Sequence, residues 1–165
     1  MLEKMNLKMG ENKARFTLEL ASGLLEETEF KIYLWDENEQ IVVSDIDGTI
    51  TKSDVMGQLK TNYIHKGVCL LFNEIYKRNY KILYMTARAI GQYSQTRRFL
   101  EKEVVEEGLR LPPGPLLMSP DGYLKSFTRE VIEKAPDQLK IKLLASVNEI
   151  FPNTKRPIVA GFGNR

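Results

Sequence analysis

The sequence predicts an α/β fold built on a parallel sheet. Three observations carry that reading. Short apolar runs at 41–43, 81–85, within 112–120 and at 158–162 alternate with stretches of helical periodicity, the pattern of strands joined by crossover helices. The run at 41–43 is continuously apolar, as expected of a strand buried on both faces. Polar residues suited to chemistry follow them directly, and ligands of open α/β sheets bind at the carboxyl ends of strands.

The elements follow in order. The first dozen residues read as a loose terminus, although Met1, Leu2, Met5 and Met9 could line one side of a short helix. Phe16, Leu18 and Leu20 alternate with polar neighbours, giving a half-buried strand over 14–20. A second strand over 30–35 and a polar turn over 36–40 come next. Two strands make no stable sheet alone, so they need a partner. After the run at 41–43, Val68, Leu71, Phe72 and Ile75 predict a helix over 67–77. The strand over 81–85 ends at Thr86-Ala87-Arg88. A helix is predicted over 92–107, with Gly108 as its stop. A short third strand lies between the prolines of PPGPLLMSP. Helices are predicted over 127–134 and 138–150, the second capped by Asp137 and apolar along Leu139, Leu143, Leu144, Val147 and Ile150. The strand over 158–162 comes last.

Composition bounds the function. The 165 residues suit one domain, or one with a fragment of another. No apolar run reaches the ~18 residues of a membrane span, and the first residues do not form a signal peptide. The single cysteine, Cys69, allows no internal disulfide and no cysteine-based zinc site, which fits a reducing compartment. Residues 1–44 hold 5 Lys/Arg against 9 Asp/Glu, and residues 45–165 hold 19 against 13. That basic excess favours an anionic ligand. No Lys/Arg run has interleaved aromatics, so nucleic acid is not an expected partner. Nothing in the sequence sets an oligomeric state.

The strongest signal is an apolar strand running into Asp45-Ile46-Asp47-Gly48-Thr49. Residues two apart leave a strand on the same side, so the two carboxylates are neighbours and repel. A hard cation resolves this, and Mg2+ takes oxygen ligands while keeping positions for phosphate. Gly48 allows a sharp turn that brings backbone N–H groups near an anion. Asp45 is then the candidate nucleophile and Asp47 the candidate acid/base. An ordinary turn is the plain alternative, but ordinary residue usage makes a chance D-x-D-G-T in this length a matter of roughly a few in a thousand. Gly48, Thr49 and Arg88 are candidate substrate-binding residues. Thr86, at a strand end, is placed to hold a phosphoryl oxygen. A lysine should offset the charge, with Lys140 and Lys134 the candidates. Asp45, Asp47 and the Asn164 amide are candidate metal ligands.

This set, in this order, resembles the haloacid dehalogenase superfamily of phosphotransferases. VVSDIDGTITKSD, YMTARAIG, GPLLMSP, REVIEK, FPNT and GFGNR more closely resemble the lipin-type phosphatidate phosphatases, across residues 41–165. The resemblance implies Mg2+-dependent hydrolysis of phosphatidate to diacylglycerol and phosphate through an aspartyl-phosphate on Asp45. Asp47 would protonate the departing oxygen and then activate water. Thr86 and Lys140 would cradle the phosphoryl group, and Asp45, the Asp47 carbonyl and the GFGNR loop would hold Mg2+. It further implies a cytoplasmic protein, transiently peripheral to the endoplasmic reticulum or nuclear membrane, that meets phosphatidate at the membrane surface.

The expected organisation is an N-terminal tail with part of an immunoglobulin-like β-sandwich over 1–40, then a haloacid-dehalogenase-like (Rossmannoid) catalytic domain over 41–165. The family's loop continues to an aspartate four residues past the Asn, beyond Arg165. A fifth core strand and the other sandwich segment also fall outside, so the expectation is a truncated domain with an incomplete metal site. Ala135-Pro136 and Leu139-Lys140 stand where the family commonly has Lys-Pro and Phe-Lys. The alternatives are a module that binds phosphatidate without hydrolysing it, and a phosphatase for a soluble phosphomonoester.

Overall fold

The computed structural model describes residues 5–52, 63–120 and 135–164. The expected helix over 127–134 and Lys134 lie outside the described residues, as do Arg165 and most of the ITKSD segment.

The central feature is a four-stranded parallel sheet, compatible with a Rossmann-like α/β fold. Its strands are β3 (Ile41–Asp45), β4 (Lys81–Ala89), β7 (Leu116–Ser119) and β8 (Ile158–Phe162), in the order β7-β4-β3-β8. The chain builds β3, β4 and β7 outward on one side, then crosses back to lay β8 beside β3. The order therefore reverses between β3 and β8, and the crevice at such a point is where α/β sheets bind ligands.

Side-chain alternation splits the core into two clusters. Val42, Ile82 and Tyr84 pack with Val68, Cys69 and Phe72 of α1 (Val68–Lys77), and with Phe99, Leu100 and Val104. Ile41, Val43, Leu83 and Met85 belong to the other cluster, with Val147, Leu143 and Leu144 of the last helix, α3 (Ala135–Ile150). All five residues of β3 are buried, as their unbroken apolar run requires. Helix α1 ends where Asn79 enters the left-handed region at φ 69° and its N–H bonds the Tyr76 carbonyl.

Several expectations need correction. The helix over 92–107 is shorter and irregular. A 3-10 turn (Ile90–Gln92) leads into α2 (Tyr93–Arg98), which passes into a π-helical turn (Phe99–Glu103). Gly108 does not stop that helix. Glu107 and Gly108 take φ 50° and 79° and form the tight turn of a hairpin between β5 (Val105–Glu106) and β6 (Leu109–Arg110). Two successive positive φ angles are what a two-residue hairpin loop demands. Strand β4 continues past Thr86 to Ala89, with a register shift between Met85 and Ala89 against β7. Thr86 instead marks where pairing with β3 ends, because the last β3 partner is Met85. Asp137 lies inside α3, so it is no N-cap, and Ile150 is 80% exposed rather than part of the apolar face.

The two N-terminal strands are longer than the sequence suggested, β1 (Gly10–Glu19) and β2 (Leu25–Leu34), and they pair with each other as an antiparallel hairpin. One face carries Phe16, Leu18 and Phe30, all exposed. The other carries Glu11, Lys31 and Tyr33, which reach the α/β body through a polar network around Arg97. The buried Arg97 guanidinium bonds the Tyr33 hydroxyl (2.5 Å), the Gly114 carbonyl (2.7 Å) and Glu101 (2.6 Å). Lys31 Nζ bridges Glu101 (2.5 Å) and Glu11 (2.8 Å).

This network sets an acid sensitivity. Burial alone would raise both carboxyls, but for Glu101 the Lys31 hydrogen bond and the Arg97 charge outweigh it, and for Glu11 the Lys31 and Tyr33 hydrogen bonds do. Both sit below the ordinary value of 4.5. Their contribution to stability is thus present above that value and is lost as pH falls through and beneath it. Urea midpoints at pH 7 and pH 3.5 should differ less for Glu101→Gln than for the parent chain. An equal pH response in both would remove Glu101 from the acid transition.

Candidate active site

Asp45 ends the central strand, and its carboxylate is accounted for oxygen by oxygen. Oδ1 accepts the Ile46 backbone N–H (3.1 Å), and Oδ2 accepts Lys140 Nζ (2.7 Å). Lys140 comes from α3, 95 residues along the chain, and the packing of that helix on the Asp45 side of the sheet delivers it. Between the two candidate lysines of the sequence, Lys140 is the one seen at the site; Lys134 is outside the described residues.

After Asp45 the chain winds tightly on one carbonyl. Ile46 O accepts the N–H groups of Thr49 (3.3 Å), Ile50 (2.9 Å) and Thr51 (3.0 Å), and the Thr51 hydroxyl as well (3.2 Å). Ile46 and Ile50 are fully buried and anchor this turn in the core. The turn swings Asp47 toward β4 rather than toward Lys140. Thr86 Oγ1 donates to Asp47 Oδ2 (2.7 Å), and Arg88 Nη2 pairs with Oδ1. The Arg88 backbone N–H returns to Thr86 Oγ1 (3.2 Å). Each carboxylate thus has its own cation, Asp45 with Lys140 and Asp47 with Arg88, so close carboxylates are tolerated in a half-buried place.

The Thr86 hydroxyl, expected to face a phosphoryl oxygen, holds Asp47. Among the described residues of the site, two polar atoms stay unsatisfied. Arg88 Nη1 and Thr49 Oγ1 are both buried without a hydrogen-bond partner, and such groups are costly until something bonds them.

Gly48 has φ 83°, and a Cβ there would lie 2.0 Å from Asn164 Nδ2. The glycine therefore answers two demands, a left-handed backbone and the close approach of the loop after β8. That approach brings the Asn164 amide over the aspartate turn. Among the described residues no three His, Cys, Asp or Glu side chains cluster as metal ligands. The oxygens near the turn that an ion could use are those of the Asp45 carboxylate and the Asn164 amide. That set fits Mg2+, which uses one or two carboxylates and leaves its other positions to water and phosphate. It does not fit a zinc site.

Two contacts at the site have no local signal in the sequence. Arg88's pairing with Asp47 needed the register of β4 against β3. The Thr51–Ile64 bridge returns the chain beside the turn, and His65 N–H then bonds the Ile50 carbonyl (3.0 Å). No local motif marks that return.

Comparison with known proteins follows the same lines. The family model LNS2 (Lipin/Ned1/Smp2) matches residues 1–165. Phosphatidate phosphatase LPIN2 of Homo sapiens is 46% identical over 138 residues, which is 81% of this chain and 15% of that protein. Phosphatidate phosphatase PAH1 of Arabidopsis thaliana is 40% identical over 168 residues, covering 99% of the chain and 18% of the relative. Phosphatidic acid phosphohydrolase 1 of Saccharomyces cerevisiae is 39% identical over 178 residues, covering 99% and 20%. The chain thus spans about a fifth or less of the length of these relatives.

The steric clash at Gly48 is directly testable. Gly48→Ala should destabilise the chain by about 1–3 kcal/mol in urea unfolding, from the strained backbone and the contact with Asn164. Part of that loss should return in the Gly48→Ala, Asn164→Gly double variant, a coupling that a double-mutant cycle measures. Strict additivity would mean that the two residues do not meet.

Proposed function

The chain belongs to the LNS2 (Lipin/Ned1/Smp2) family, and from that premise we propose that it carries the catalytic centre of a phosphatidate phosphatase with a haloacid-dehalogenase-like core. The observation that carries this reading is the division of labour between the two aspartates. Asp45 is oriented by Lys140 and a backbone N–H, and Asp47 is held apart by Thr86 and Arg88. One fixed carboxylate beside a cation and a second one on the opposite side suit a nucleophile and a separate acid/base.

In the proposed reaction an Asp45 oxygen forms a bond to phosphorus, and the bond from phosphorus to the glycerol oxygen breaks. Asp47, carrying a proton in the bound state, gives it to the departing oxygen, which leaves as the hydroxyl of diacylglycerol. Asp47 then takes a proton from water, whose oxygen attacks the aspartyl-phosphate and releases phosphate and free Asp45. Lys140 and Arg88 offset the charge of the phosphoryl oxygens. The unsatisfied Arg88 Nη1 is a donor that such an oxygen would complete. Asp45, the Asp47 carbonyl and Asn164 would hold Mg2+, which when bound supplies further charge neutralisation.

The substrate would be met at a membrane surface, with the protein peripheral to the endoplasmic reticulum or nuclear membrane on its cytoplasmic side. Among the described residues, no helix is long and apolar enough to cross a membrane. The β1–β2 hairpin, with its exposed Phe16, Leu18 and Phe30, would be one part of an immunoglobulin-like sandwich over residues 1–40, ahead of the catalytic domain at 41–165.

Phosphate release from phosphatidate in mixed micelles, with and without Mg2+, tests the reading. Asp45→Asn should abolish Mg2+-dependent release. Asp47→Asn should lower kcat by roughly 10²–10⁴, the usual range for a lost acid/base. Lys140→Ala should cost far more than Lys134→Ala. Release that survives Asp45→Asn would sink the nucleophile assignment. A folded parent chain that binds phosphatidate without releasing phosphate would make it a binding module.

A further inference from the structure

A pocket of about 170 Å³ opens beside the aspartate turn, and the reaction above does not use it. Thr49, His65, Lys66, Leu71, Phe72 and Phe162 line it. Its position is set by the reacting centre on two sides. Thr49 lies two residues after Asp47, and Phe162 lies two before Asn164. The third side is fixed by the bond from His65 N–H to Ile50 O and by the Thr51–Ile64 bridge, which bring His65 and Lys66 to the mouth.

The lining is divided in character. Phe72 is buried, Phe162 is half-buried and packs on it at 5.5 Å between ring centres, and Leu71 extends the apolar wall outward at 43% exposure. His65 and Lys66 are exposed at the rim. The Thr49 hydroxyl, on the catalytic turn itself, is buried and unpartnered. The first N–H groups of α1 contribute little here, because Gly67 N and Cys69 N already bond the Glu106 carboxylate at 2.5 and 3.3 Å. The pocket is therefore apolar in depth, cationic at the rim and equipped with one hydrogen-bonding hydroxyl next to the reacting residues.

We propose that this pocket seats the leaving group of the substrate, the glycerol-ester portion of a diacylglycerol phosphate. The proposal rests on the phosphatase reading and adds the residues that would select a lipid. The Thr49 hydroxyl donates to an oxygen of the glycerol or its first ester. Lys66 meets an ester carbonyl at the rim, and the first methylenes lie along Leu71 and Phe162. At about 170 Å³ the pocket is smaller than the roughly 300–1,000 Å³ that engulfs a drug-sized ligand. It takes only the head of the lipid, and the acyl chains run outward past Leu71 and its exposed neighbour Leu70. A free phosphate or glycerol 3-phosphate would use the aspartate turn and leave the apolar wall bare.

Calorimetric titration in Mg2+ tests this in the full chain carrying Asp45→Asn, the parent for the variants below and unable to turn the lipid over, with three probes: inorganic phosphate, glycerol 3-phosphate, and dihexanoyl phosphatidate kept below its micelle concentration. The parent chain should bind dihexanoyl phosphatidate at least about tenfold more tightly than glycerol 3-phosphate, a difference near 1.4 kcal/mol. Leu71→Asn, at a half-exposed position that folding tolerates, should remove most of that preference and leave inorganic phosphate affinity within about twofold. Thr49→Val should also weaken the lipid arm. The pocket assignment is overturned if the parent binds phosphate but shows no lipid preference, or if Leu71→Asn lowers all three affinities alike. If the parent binds none of the probes, the phosphatase reading itself fails, and the pocket assignment falls with it.

Discussion

The contact between Lys140 and Asp45 is the constraint on which the rest of the site depends. Asp45 is buried at the end of a strand flanked by neighbours on both sides. A carboxylate in that place is costly unless a cation and hydrogen bonds compensate it. Lys140 supplies the cation from a helix far along the chain. The helix is positioned in turn by Leu143, Leu144 and Val147 against Leu83 and Met85. Apolar packing on one face of the sheet therefore decides where a charge sits at its end. The strand order adds the other half. By laying β8 beside β3, it carries Asn164 over the same turn, to the contact that only a glycine at position 48 allows.

The opposite face supports a different part of the site. Ile46 and Ile50 belong to the cluster built by α1 and the π-helical turn. They fix the turn that carries Asp47, and the β4 register brings Thr86 and Arg88 to meet it. Each carboxylate is thus tied to a separate half of the core. Two neighbouring carboxylates of one short motif acquire different surroundings because the strand ends between them: Asp45 keeps the strand's direction toward Lys140, and the turn wound on the Ile46 carbonyl redirects Asp47 toward β4.

The legible parts of the sequence were those governed by local rules. Short apolar runs marked all four parallel strands, and Asp45-Ile46-Asp47-Gly48-Thr49 marked the tight turn that follows β3. The errors arose where tertiary contacts override local pattern. Glu107-Gly108 looked like a helix end because the periodicity over 92–103 is genuine. Val104 is fully buried, however, and the extended backbone it adopts starts a hairpin. Ile150 fits the apolar period of α3 but lies past the sheet it packs on. Arg88 stands out in the sequence as a candidate phosphate ligand, but its pairing with Asp47 does not, since nothing in YMTARAIG states that β4 outlasts its pairing with β3. The Arg97 network was invisible for the same reason. It joins residues from β1, β2, α2 and the loop before β7, and only the folded chain brings them together.

The same geometry bears on how a phosphoryl group would enter. Asp47 accepts hydrogen bonds from Thr86 and Arg88, which hold it toward β4 and away from Lys140. An incoming phosphoryl group brings oxygens that compete for those donors. Each donor it takes would free an oxygen of Asp47, and in the proposed reaction that oxygen must face the departing one. The unsatisfied Arg88 Nη1 lets this exchange begin before the Asp47 pair is broken. On this view Arg88 would first hold Asp47 and then the phosphoryl group, so that Asp47 is released toward the departing oxygen where a phosphate is present and not before.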